Sequence, residues 1–190
     1  MREDGKLDRT DVLLRETYKF FEAMGLHKGL MNEIYKARSD WEFILKIDAL
    51  LEAATKQIIK SALKLKIGNT FGGAEALSEF VDGLPMNGKT SLMHLLKACG
   101  CPLNQCDFIE AVRRVRNSYA HNIKQADLPL IELIKQRRDR SHTIKNICDI
   151  ENYVEGDLIE QFENDGQFFR FCIVDATMQI LIAAYHVALK

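Results

Sequence analysis

Arg116, Asn117 and His121 lie within six positions of one another in the stretch FIEAVRRVRNSYAHNI, residues 108–123. Arginine is a permanent planar cation that can grip a phosphate, imidazole exchanges a proton near neutral pH, and a carboxamide can orient either group. Together these three types suit the gripping of a phosphate and proton transfer beside it.

The element that must position them is legible. Ile109, Val112, Val115, Tyr119 and Ile123 recur at helical spacing, so one stripe faces a core and the polar residues occupy the other faces. Asn117 and His121, four apart, share a face. Arg116 and His121, five apart, point about 140° away from each other on an ideal helix. They converge only if the helix loosens near His121 or if a second copy of the chain supplies the partner, so a homodimer belongs to the expectation.

Charge is unevenly spread around this helix. Residues 113–145 hold nine basic side chains against three acidic ones, and residues 146–169 hold seven acids and no Lys or Arg, although the whole chain sums to −1. The basic block nominates Arg113, Arg114, Lys124, Arg137, Arg138 and Arg140 as contacts for an RNA backbone. The competing expectation is that basic and acidic segments pair with each other or are solvated faces.

Other elements follow from periodicity and punctuation. Leu13, Leu14, Tyr18, Phe21 and Met24 predict a helix ending at Gly25, and a short helix over 30–37 would complete an N-terminal hairpin. Ser39 and Glu42 form a capping box that opens the longest regular stretch, from Trp41 to about Ile67, expected to pack against 108–123. Gly68 to Gly73 should end it. A short helix, a loop at 83–88 and a helix around Leu92–Ala98 capped by Thr90 come next. Leu128–Lys135 reads as a helix and Phe168–Leu189 as a long, largely buried terminal one. No stretch reads as a strand ladder, so the class is all-α.

The run Arg116-Asn117-Ser118-Tyr119-Ala120-His121 resembles the R-N-x-x-x-H signature of HEPN domains, small helical bundles of toxin, defence and RNA-processing systems. The layout over residues 40–135 is most similar to the mannitol-repressor branch. The resemblance implies a single-domain HEPN-type helical bundle over 39–190, with an N-terminal helical extension over 1–38. It also implies an endoribonuclease in which Arg116, Asn117 and His121 are catalytic at a dimer interface, leaving 2′,3′-cyclic phosphate ends. Two departures keep a second expectation open. The tyrosine of the R-x4-H-x-Y toxins is missing, because Asn122 and Ile123 follow His121. The mannitol-repressor branch, with its similar R-N-x-x-A-H, is regulatory and acts through partner proteins. Under that reading the three residues only hydrogen-bond within the bundle, and an antitoxin or regulatory protein is the partner.

Two further patterns invite chemistry. Gly83-Leu84-Pro85-Met86-Asn87-Gly88-Lys89-Thr90 matches G-x-x-x-x-G-K-[ST], and Phe171–Asp175 reads as four apolar residues and an acid. A phosphate-cradling loop needs a buried strand before it, and Leu77–Asp82 is too short and too polar for one. His94, Cys99, Cys101 and Cys106 are zinc-ligating types, but their spacing departs from the two-residue knuckle, so no metal or cofactor is expected. Hydrophobic content of 47% supports one sizeable core. No apolar run is long enough for a membrane span, MREDGKLDR has no signal-peptide core, and five cysteines suit a reducing compartment, so a cytoplasmic protein is expected.

Overall fold

The hydroxyl of Ser39 accepts the amide of Glu42 at 3.1 Å, and the Glu42 carboxylate reaches back to the amide of Arg38 at 3.0 Å. This reciprocal cap starts the longest helix of the chain. In the computed structural model the described residues are 9–67, 74–121, 123–148 and 155–188, and their regular structure is entirely helical. In chain order the helices are α1 (Arg9–Ala23), α2 (Leu30–Tyr35), α3 (Asp40–Ile67), α4 (Ala74–Gly83), α5 (Leu92–Ala98) and α6 (Leu103–His121). A 3₁₀ turn (Ile123–Gln125) follows, then α7 (Leu130–Lys135), α8 (Arg140–Cys148), α9 (Glu155–Asn164) and α10 (Gly166–Ala188). The expected glycine-rich break at 68–73 falls outside the described residues.

The apolar faces of α3 and α10 meet along the middle of the bundle, and the other helices cover them. Ile44, Ile47, Leu51 and Ala54 of α3 are buried, as are Ile173, Thr177, Ile180 and Leu181 of α10. Helix α6 lies against α3 as expected, with α8 across it. Helix α1 lies along α10, and α2 touches both α10 and α3. Phe20 and Phe21 of α1 are 1% and 0% exposed within the common core. A pair of adjacent phenylalanines buries more apolar surface against the long terminal helix than against a six-residue neighbour.

Helix ends follow local chemistry. Gly25, at φ +67°, closes α1 with the Leu26 amide on the Phe21 carbonyl at 2.7 Å and the Gly25 amide on the Glu22 carbonyl at 3.1 Å. Helix α5 is capped by Ser91, whose hydroxyl accepts the His94 amide at 3.3 Å, and not by Thr90. Asp165 caps α10 by accepting the amides of Gln167 and Phe168, each at 3.0 Å.

One buried ion pair ties four segments together. Arg170 of α10 donates to Asp40 at 2.8 Å and to the carbonyls of Tyr35 and Ala37 at 3.1 and 2.7 Å. Its guanidinium also lies 5.2 Å from the centroid of the Phe43 ring. The other oxygen of Asp40 accepts the Leu130 amide at 2.6 Å, so α7 is capped by a side chain ninety residues away in sequence.

Candidate functional site

Helix α6 begins where the Cys106 amide meets the Pro102 carbonyl at 3.1 Å and stays α-helical through His121. Cys106, Phe108, Ile109, Ala111, Val112, Val115 and Tyr119 are buried along it. The Tyr119 hydroxyl donates to the Leu128 carbonyl at 3.0 Å and so anchors the end of the helix. Burial pushes the Tyr119 phenol well above its ordinary range, which keeps it a neutral donor.

Arg113 and Arg116 turn towards α3, where Asp48 and Glu52 stand one turn apart. Arg113 Nη1 donates to Asp48 Oδ2 at 2.7 Å and to Glu52 Oε2 at 3.2 Å. Arg116 Nε lies 3.5 Å from the same Asp48 oxygen. That separation allows Coulombic attraction, yet Arg116 Nε is buried without a hydrogen-bond partner. Arg116 Nη1 donates to the Asn117 carboxamide oxygen at 3.2 Å. Two guanidinium groups thus share one carboxylate oxygen, and the Arg116 side chain remains 34% exposed.

Asp48 is only 5% exposed. Burial pushes its carboxyl up, against the downward pull of Arg113 and Arg116. Glu52 goes the other way. Burial raises it, but Lys56, at 2.9 Å, and Arg113 outweigh that and hold it below its usual value. Neither acid figured among the sequence candidates. The signal available was an acid four residues before another on a helix whose adjoining stripe, Ile44, Ile47 and Leu51, is apolar.

His121, the last residue of α6, is exposed, and Asn117 is partly exposed. Because α6 remains regular to its end, Arg116 and His121 point about 140° apart. The loosening that would bring them together inside one chain does not occur. Asn117 is the link, since it accepts from Arg116 and shares a helix face with His121.

The other basic candidates divide into two groups. Arg113 is held by Asp48 and Glu52 as described. Arg114 contacts Glu110 and Asp139 at 3.8 and 3.6 Å, and Arg137 grips Asp139 through two contacts of 2.9 and 3.1 Å while donating to Ser118 at 2.7 Å. Asp139, inside the basic run, is held below its usual carboxylate range by Arg137. Lys124, Arg138 and Arg140 lie exposed on the surface. The acidic segment meets the basic one where Glu163 of α9 pairs with Lys135 of α7.

The two remaining sequence patterns have a clear geometry. The chain before Gly83 is helix α4, not a strand. The first amides of α5 are already used: Leu92 and Met93 donate to the carbonyls of Pro85 and Met86 at 2.9 and 3.1 Å, and His94 to Ser91. A helix N-terminus whose amides are occupied presents none to a phosphate. Phe171–Asp175 lies within α10. Among the described residues no three His, Cys, Asp or Glu side chains converge as a metal site. No family model, curated protein or solved structure matches this chain.

Proposed function

We propose that this protein is a HEPN-type, metal-independent endoribonuclease that works as a homodimer. The observation that carries the reading is the partly exposed Arg116. Its guanidinium is fixed at the α3–α6 seam by a carboxylate it must share with Arg113, and a third of the side chain reaches solvent. A cation held in this way, with part of the side chain open to donate to a phosphate oxygen, suits stabilisation of a phosphorane. His121, exposed at the end of the same helix, takes the proton transfers, and Asn117 aligns Arg116 with the incoming linkage. One copy offers a single imidazole, directed away from its own arginine. A second copy across a twofold supplies both the partner for Arg116 and the second proton-transfer group. Lys124, Arg138 and Arg140 would track the RNA backbone at the surface.

The second reading, a non-catalytic regulator similar to the mannitol-repressor branch, is favoured by the regular course of α6. In that case the Asp48–Arg113–Arg116–Asn117 network serves to fasten α3 to α6. Purified wild type and His121→Ala are to be compared on structured RNA in excess EDTA. Cleavage by the wild type alone, with 2′,3′-cyclic phosphate ends, is expected. No cleavage by either, with a stable association between the protein and a partner, supports the regulator.

A further inference from the structure

The corner between α5 and α6 is built from two helix ends that share one residue. Gly100, at φ +88°, closes α5, with the Cys101 amide on the Leu96 carbonyl at 3.2 Å and the Gly100 amide on the Lys97 carbonyl at 3.0 Å. Pro102 then occupies the N-cap position of α6, so Cys101 precedes the cap and Cys106 is the fourth helical residue. These are the two positions whose side chains normally meet as an apolar clasp at a helix start. Here both are thiols. The Cys106 sulfur lies 3.9 Å from the Cys101 carbonyl, and the Cys101 sulfur lies 3.5 Å from the Gln105 side-chain oxygen. Cys101 is partly exposed, whereas Cys106 is 0% exposed, and both are free.

We propose that Cys101 and Cys106 form a modification site at which a hydroperoxide closes an intramolecular disulfide across the first turn of α6. The thiol of Cys101, which solvent reaches, attacks the peroxide and becomes a sulfenic acid, releasing water or an alcohol. The Cys106 sulfur then displaces the hydroxyl from Cys101 and loses its proton, and a second water leaves. Two thiols are oxidised by two electrons and one peroxide is reduced. The hydrogen bond between the two thiols pushes Cys101 well above its ordinary value and, with the weaker help of the Lys97 charge, holds Cys106 below its own, so the first attack is slow and the second, resolving step is fast. The bond would fasten the start of the helix that carries Arg116 and His121, and the inference stands whether or not RNA is the substrate.

The experiment treats the full-length, reduced protein with hydrogen peroxide, alkylates it under denaturing conditions and fragments the segment containing Cys99, Cys101 and Cys106. Before alkylation an intact mass lower by about 2 Da is expected, and after it the label is present on Cys99 and absent from Cys101 and Cys106. Cys101→Ser, at the partly exposed position, should lose the bridge while keeping the wild-type circular dichroism. Label recovered on Cys101 and Cys106, sulfinic acid on Cys101 without a bridge, or a bridge to Cys99 would each overturn the proposal.

Discussion

Asp48 has the most consequential carboxylate in the bundle, because its burial and its two arginines pull in opposite directions. Burial wins, so the folded chain holds that proton more tightly than the unfolded chain does. Across the interval from about pH 4, the unfolded value, up to the raised folded value, Asp48 therefore removes stability as pH rises. Glu52 does the reverse. The stability it lends is present above its unfolded value of about 4.3 and is lost as pH falls through the lowered folded one. In Asp48→Asn only the second effect remains. Urea midpoints measured between pH 4 and 7 should fall more steeply towards acid in this variant than in the wild type. His121 sets the contrast at the same scale. It is exposed at a helix end, so His121→Ala should change unfolding free energy by no more than about 0.5 kcal/mol and, on the proposed ribonuclease reading, cut cleavage about 10²- to 10⁴-fold. A matching loss of stability and cleavage would assign the imidazole to the scaffold.

At the scale of elements, caps decide where the helices start. Ser91 rather than Thr90 closes α5, so Ser91→Ala should cost about 1 kcal/mol by chemical denaturation and Thr90→Ala almost nothing. Both residues are good cap types, and sequence alone could not rank them. The choice is made by the Pro85 and Met86 carbonyls, which pin the amides of Leu92 and Met93 and so fix the first turn. The Arg170 knot is a larger case. Each of its polar groups is paired, and replacing Arg170 by Ala would leave the part-buried Asp40 with only the Leu130 amide and the carbonyls of Tyr35 and Ala37 without the guanidinium. A loss of about 3–5 kcal/mol is expected, measurable as a lower urea midpoint. Arg170→Lys should not restore it, because an ammonium cannot span the carboxylate and both carbonyls at once.

For the whole molecule, the proposed ribonuclease reading and the divergence of Arg116 and His121 together make cleavage a property of two copies. Mixing wild type with an equal amount of His121→Ala, under conditions that exchange subunits, should leave about a quarter of the cleavage shown by the same total amount of wild type. Only the quarter of dimers with two wild-type chains would hold both imidazoles. Sedimentation of the wild type should show a dimer. Retention of half the cleavage in a mixture shown to exchange would mean that each chain works alone.

What the chain determined by itself is the local content. The 3.6-residue periodicity marked α1, α3, α6 and α10, the Ser39–Glu42 box marked the start of α3, and Arg116, Asn117 and His121 marked one polar end of α6. Those features depend on residues within a turn or two of one another. Tertiary structure decided the pairing: that Arg113 faces Asp48 across 65 positions, that Arg170 reaches Asp40 across 130, and that α1 lies along α10. The reason is physical. Helical periodicity fixes which face is buried but not which partner it meets, and a charged side chain pairs with whichever carboxylate that meeting brings within reach.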